Sequence, residues 1–397
     1  MKRLATIDTV RGLVMVIMAL DHVRDLLHIP ALTQNPTDLA TTTAPIFLTR
    51  LVTHLCAPTF VFLAGTSVYL SVQKDAELDT AGNRAGRSLA ERGRFLLKRG
   101  LVLILLEVTL INFAFWTDIQ FRSMMLQVIF VIGAGLVLLS WLIRFQVRSL
   151  LMAGLFIVFL HDLLLLVPTF TNPAARLGWA LLFRLDFFAV SPNFSLLVGY
   201  SIVPWFGIML LGYGCGPLFA KPLAERKAQF LTIGLSSLAL FLLLRFLNIY
   251  GDVAPWSVQK SGVFTALSFL NVSKYPPSLL YTAFTLGIMF LLLALFDGSR
   301  NWLARRLEVY GKVPLFYYLL HWYLVKGAMI IMILLQGYSI SDMPLGPMSF
   351  GRPAAAGLDL PAVYAVWLAL VIALYPLCAW YGRYKAEHPE VTWTRYV

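Results

Sequence analysis

The stretch Ala5-Thr-Ile-Asp8-Thr-Val-Arg11-Gly-Leu-Val-Met15-Val-Ile-Met18-Ala-Leu-Asp21-His22-Val-Arg24-Asp25-Leu-Leu-His28 decides how the rest of the chain is read. Preceded by Lys2 and Arg3, it begins as a secretory leader does, with basic residues and then an apolar run. No small-residue cleavage site follows a short apolar core, however, and the run is broken by Asp21-His22 and Arg24-Asp25. It reads as a retained membrane span. About 20 mostly apolar residues cross the hydrocarbon. Nine further stretches have that character: 46–72, 100–117, 123–143, 149–167, 197–219, 230–250, 278–297, 313–336 and 361–381.

Composition points the same way. The 397 residues are 59% apolar and 13% charged, where soluble domains run at ~45–50% and ~25%; the mean hydropathy is +0.76. Ten spans use about half the chain and leave no room for a large soluble domain. The expected fold is therefore an all-α, polytopic helical bundle of about ten transmembrane helices, one domain over 1–397, with membrane lipid as its surroundings. Cys56, Cys215 and Cys378 all fall in apolar segments, which suits small core residues rather than a disulfide framework or a metal cluster.

The net charge of +12 is explained by its placement, not by nucleic acid. Sorted onto alternating sides of the ten spans, twenty-one Lys and Arg fall on the side of the N-terminus and six on the other: Arg122, Arg176, Arg184, Lys260, Lys274 and Arg352. The remaining five, Arg11, Arg24, Arg50, Arg245 and Lys326, lie within spans. The positive-inside rule puts both termini in the cytoplasm, and the expected location is a bacterial cytoplasmic membrane. The longest polar stretch, Gln73 to Lys98, is then cytoplasmic and runs helically into the third span. Three outer loops, 168–196, 251–277 and 337–360, carry Phe187, Phe188, Trp256, Phe264 and Phe269 and are expected to hold short interfacial helices. Gly207, Gly212 and Gly216 read as close helix packing in lipid.

An ionisable group in a span costs several kcal/mol unless paired or hydrated, so it marks function by default. At ~100° per residue, Asp8, Arg11, Met15, Met18, His22 and Asp25 share one face of the first span, while Asp21, Arg24 and His28 point elsewhere. With ~1.5 Å rise per residue, His22, His54 and His161 come out at about 10, 12 and 9 Å below the outer face. Asp21, Arg50 and Asp162 are near them in sequence. His321 lies nearer the midplane, with Tyr317 one turn before it and Lys326 beyond; Arg11 and Glu107 lie toward the cytoplasm. This polar path is rich in the side chain best suited to exchange protons near neutral pH. A proton-coupled transporter of a sugar-like or acylated solute and a transmembrane transferase could both use it. No P-loop, GxSxG, HExxH or paired CxxC is present to decide between them.

The opening stretch, from Arg3 to His22, resembles the heparan-alpha-glucosaminide N-acetyltransferase-like family of membrane proteins. So do HLCAPTFVFLAGTS (54–67), LQVIFVIG (126–133), PWFGIMLLGY (204–213), FLNVSKYPPSLLY (269–281) and YGKVPLFYYLLHWYLV (310–325). Arg11, ten residues and His22 also resemble a signature of the broader membrane acyltransferase superfamily. The resemblance implies acetyl transfer from cytosolic acetyl-CoA, without a metal, to an amine or hydroxyl of a sugar or glycan on the outer side, with a homodimer as the assembly to look for. It implies Arg11, beside Asp8, at the donor phosphates, and His22 as general base oriented by Asp21 or Asp25, or as an acetyl-carrying nucleophile. Arg50, His54 and His321 would line the site with Tyr317 and stabilise the oxyanion or the acceptor, and Lys274 would contact the acceptor. In the lysosomal member that names the family, the His22 position aligns with Asn and the active histidine follows the first span. His28 is the one histidine here in that region, so His22 and His28 both stand as candidates.

Overall fold

The computed structural model describes residues 4–80 and 88–396. Lys2, Arg3, Arg84 and Arg87 of the charge count lie outside the described residues. The chain is 70% helical. Helix α1 (Ala5–Leu27) is followed by α2 (Ala44–Thr53) and α3 (Cys56–Thr80). Helix α4 (Leu89–Leu106) starts at a capping box in which Ser88 and Glu91 each satisfy the other's backbone N–H, the two-way closure that pins a helix start. It continues through a π-helical turn, Glu107–Ile111, into α5 (Asn112–Trp116). Then come α6 (Val128–Leu142), α7 (Val147–Leu160), α8 (Pro173–Phe183), α9 (Ile202–Gly214) and α10 (Leu223–Leu247). The chain closes with α11 (Gly262–Leu270), α12 (Leu279–Phe296), α13 (Trp302–Gly311), α14 (Pro314–Leu335) and α15 (Leu360–Glu387).

Among the described residues, seven helical segments are long and apolar enough to cross a membrane: Ala44–Asp75, Val147–Leu166, Ile202–Ala220, Leu223–Leu247, Leu279–Phe296, Pro314–Leu335 and Leu360–Glu387. The other three expected spans differ from these in ways with physical causes. Helix α1 has the length, 23 residues, but carries five charged residues. The third is assembled from α4, the π turn and α5. The fourth, read as 123–143, starts late. Ser123–Leu126 forms a strand, β1, and the helix behind it has only 15 residues.

Strand β1 pairs in parallel with β3 (Phe194–Val198), which pairs antiparallel with β2 (Asp186–Ser191). The loop 168–196, expected to hold interfacial helix alone, thus supplies α8 and a hairpin. The hairpin satisfies the backbone of β1, which an irregular loop over an apolar face could not do. Arg176 of α8 grips Asp186 of β2 through two hydrogen bonds of 2.7 and 2.6 Å. Of the other outer loops, 251–277 holds α11, whereas 337–360 holds only a short 3₁₀ turn, Ile340–Asp342.

Helix α1 is the axis of the bundle. It packs against α2, α3, α12, α13, α14 and α15, and 16 of its 23 residues are buried. A charged helix tolerates the membrane here because its charges face protein. Contact is close because glycine allows it. A Cβ on Gly12 would stand 1.9 Å from the Leu307 carbonyl oxygen, and one on Gly311 would stand 1.8 Å from that of Asp8. Similarly, α9 reaches α3 at Gly212, where a Cβ would stand 1.9 Å from the Phe62 carbonyl oxygen.

Candidate active site

Arg11, Met15, Met18 and His22 lie three to four residues apart, on the single face of α1 that the helical period predicts, and they line one route through the bundle. The inner part is a cavity of about 330 Å³. Its walls are apolar, from Met15, Ala64, Leu103, Ile129 and Ile132, and four basic residues bound it: Arg11, Arg99, Lys312 and Lys385. Arg11 is held by Ser67 Oγ at 3.0 Å, by the Gly311 carbonyl at 3.4 Å and by Asp8 at 3.4 Å. The close approach of α1 and α13 is what brings that carbonyl within reach.

A smaller cavity of about 30 Å³ lies beyond, lined by Met18, Asp21, His22, Thr53, Cys56, Gln127, Tyr200 and Lys274. Phe60, Val128 and Tyr318 wall both cavities. The basic-mouthed cavity and the His22 cavity therefore adjoin across these three side chains.

His22 Nδ1 lies 2.6 Å from His321 Nε2, a contact across 299 positions of sequence. Its direction follows from the other end of His321, whose Nδ1 lies 3.1 Å from the Tyr317 carbonyl. A carbonyl only accepts, so His321 Nδ1 carries the proton and its Nε2 is the acceptor. His22 Nδ1–H therefore donates, and the lone pair of His22 is on Nε2. Trp322 stacks on the His22 ring, centroids 3.9 Å apart at 19°; an aromatic face attracts the cation that forms if Nε2 takes a proton. His321 and Tyr317 are fully buried, so the chain of donors has no water to compete with it.

The other candidate residues are distributed as follows. Asp21 does not orient the His22 ring; its carboxylate takes Arg50, Arg24 at 2.6 Å and Thr53 Oγ1 at 2.8 Å. Asp25 pairs with Arg24 at 2.6 Å and is half exposed. His28 caps α1 away from the route. It lines a separate 20 Å³ recess with Arg24, Asp25 and Pro30, and its carbonyl accepts from Arg352 Nη2 at 3.0 Å. His54 is buried and caps α2; its carbonyl accepts from Tyr281 and its ring meets the Tyr281 ring edge-on at 5.5 Å. Lys274 stands over the rings of Tyr275 and Tyr200, 5.0 and 5.7 Å from their centroids.

The histidines read as lying at one depth do not form one cluster. His161 Nδ1 bonds the Ile157 carbonyl of its own helix at 2.9 Å, beside Asp162, which accepts from the Leu279 backbone. Glu107 was read as lying with Arg11 toward the inner side. It follows the 18 residues of α4 and meets the backbone of Gln127, a wall of the His22 cavity, at 3.2 Å. Arg99, Lys312 and Lys385 were legible only as cytoplasmic charge. Trp322 and Gln127 carried no sequence signal beyond their places in YLLHWYL and LQVIFVIG. Among the described residues no three His, Cys, Asp or Glu side chains gather as a metal site needs.

The model of the heparan-alpha-glucosaminide N-acetyltransferase catalytic family matches residues 3–251, more than half of the chain. The chain belongs to that family. Membership implies an N-acetyltransferase enzyme and agrees with the membrane-type helices described above. The match ends at the start of the loop 251–277, so the family model covers His22, Asp21, Arg11 and Gln127 but not His321, Trp322 or Lys274. No curated protein matches the sequence.

Proposed function

We propose that the protein transfers an acetyl group from cytosolic acetyl-CoA to an amine or hydroxyl of a sugar or glycan on the outer side of a bacterial cytoplasmic membrane. In this reading the ten helical segments all span and both termini are cytoplasmic, in keeping with the charge bias. The carrying observation is the paired His22–His321 rings, with His22 lining a small polar cavity that shares Phe60, Val128 and Tyr318 with a larger, basic-mouthed one.

The parts suit the two substrates. Arg11, Arg99, Lys312 and Lys385 fit the phosphates of acetyl-CoA, and the apolar walls fit its pantetheine arm. His22 Nε2 removes the proton of the acceptor as the acceptor attacks the thioester carbonyl. His321 fixes the tautomer that makes this possible, in the way that a second group orients the base of a catalytic dyad. Asp21, with Arg50 and Arg24, sets the electrostatics of the cavity, and Lys274, Tyr200 and Tyr275 form its acceptor side. His54, buried against Tyr281, supports the wall. His28, outside the route, takes no part.

Purified protein in liposomes, given labelled acetyl-CoA and a panel of amino sugars and glycans, tests the proposal. Acetylated product that is lost in His22→Ala and Arg11→Ala, with both variants still folded, is the expected result. A labelled sugar crossing the bilayer with no acetylated product would overturn it in favour of a transporter.

A further inference from the structure

We propose that Gln127 is the oxyanion donor of this transfer, and that Glu107 and Asn112 position it; the inference rests on the acetyltransferase reading above. Acyl transfer places negative charge on the carbonyl oxygen of the donor. A fixed N–H aimed at that oxygen supplies a large share of the rate in a water-poor site. His22 is a base and cannot supply it, so a second group is required beside the same cavity.

Gln127 has the placement. It is 7% exposed, stands at the start of α6 and lines the His22 cavity. Its neighbour Val128 belongs to the wall that the two cavities share. Gln127 therefore stands where a thioester arriving from the inner cavity meets the base. Its side chain makes no capping hydrogen bond, and its buried Nε2 has no hydrogen-bond partner among the described residues. Buried amides are nearly always paired, so an unpaired one calls for a functional account.

Two other donors that line the cavity are committed. Thr53 Oγ1 donates to Asp21 and lies 2.9 Å from the Arg50 carbonyl, and Cys56 Sγ donates to the Val14 carbonyl.

The backbone of Gln127 is held firmly from the far side. Its N–H donates to Glu107 Oε1 at 3.2 Å. Two residues earlier, Asn112 clamps Met125 from both directions: Oδ1 accepts the Met125 N–H at 2.7 Å, and Nδ2 donates to the Met125 carbonyl at 3.0 Å. The π turn Glu107–Ile111 leads directly into Asn112, so one irregular turn carries both clamps. Such turns recur at functional sites.

The step balances. The acceptor heteroatom bonds to the carbonyl carbon while His22 Nε2 takes its proton, and the C=O pair moves to the oxygen that Gln127 stabilises. That pair then re-forms the carbonyl as the C–S bond breaks, and the thiolate of coenzyme A recovers the proton from His22.

The test uses the full chain in liposomes, with acetyl-CoA and the acceptor that the wild type acetylates in the panel above. Gln127→Ala, and Gln127→Met, which keeps the volume without a donor, should lower kcat about 10²–10³-fold. The KM for acetyl-CoA and the protection by coenzyme A against thermal unfolding should stay within about twofold, which a merely structural role would not allow. Asn112→Ala, acting through the backbone clamp, should show the same split with a smaller loss. A Gln127→Met protein that binds coenzyme A as the wild type does and keeps kcat within threefold overturns the assignment. A wild type that acetylates nothing in the panel overturns the acetyltransferase reading instead.

Discussion

The five basic residues inside the spans divide between two regions of the molecule, and the division separates function from architecture. On the route through the bundle, Arg11 borders the inner cavity, while Arg24 and Arg50 meet Asp21 beside the outer one. Elsewhere, Arg245 donates to the carbonyls of Ala254, Ser268, Phe269 and Asn271, gathering the loop around α11, and Lys326 donates to those of Phe115 and Phe350. In the first region charge meets side chains and open volume. In the second it meets only backbone. A buried cation surrounded by carbonyls is an organiser of loops; one beside a cavity can meet a ligand. All five are basic residues within apolar stretches, and that alone does not separate them.

Four variants would break or sharpen this contrast. The largest effect is expected from His22→Ala, which removes the base: acetylation should fall about 10²–10⁴-fold while the melting temperature in detergent is kept. Product formed at more than a third of the wild-type rate would place the chemistry elsewhere. Arg245→Ala should do the reverse. Each carbonyl orphaned in the interior costs about 1–3 kcal/mol, so thermal unfolding should show a loss of at least about 2 kcal/mol. The coenzyme A affinity of the folded fraction should not change. If affinity falls and stability does not, the two regions are not distinct.

A more modest change is expected at the mouth. Lys312→Gln should raise the KM for acetyl-CoA about tenfold, the equivalent of ~1.4 kcal/mol, with kcat unchanged. Because the proposed contact is with phosphate near the surface, the effect should shrink as salt is raised. A fall in kcat alone would take Lys312 out of the donor site. The smallest effect is expected from His28→Ala, within about twofold of wild type in both constants, since the side chain lines a recess away from the route. If His28→Ala abolishes product while His22→Ala stays active, the base has been assigned to the wrong histidine.

How far the site could be read in advance depended on whether its parts share a helix. The face of Arg11, Met15, Met18 and His22 follows from a rotation of ~100° per residue, and the structure lines both cavities with it. Depth was a poorer guide. His22, His54 and His161 were placed at similar depths, but depth carries no information about direction around the bundle. His161 turned out to bond its own helix. Strand β1 was missed because its stability comes from pairing with β3, some seventy positions away, and no local pattern records that.

From sequence alone came the membrane class, the count of apolar segments, the charge bias, the family resemblance and the polar face of α1. All of these are properties of composition or of a single helix, where period and hydrophobicity act locally. Only the tertiary structure decided that His22 meets His321, that Asp21 meets Arg50 as well as Arg24 of its own helix, and that four distant basic residues ring one cavity. It also decided that the Gln127 side-chain Nε2, beside the His22 cavity, has no hydrogen-bond partner among the described residues. Those relations are set by which helices can approach one another, and here glycines at the α1–α13 and α3–α9 contacts permit that approach. Partners chosen by packing between elements hundreds of residues apart leave no trace in the spacing of either one.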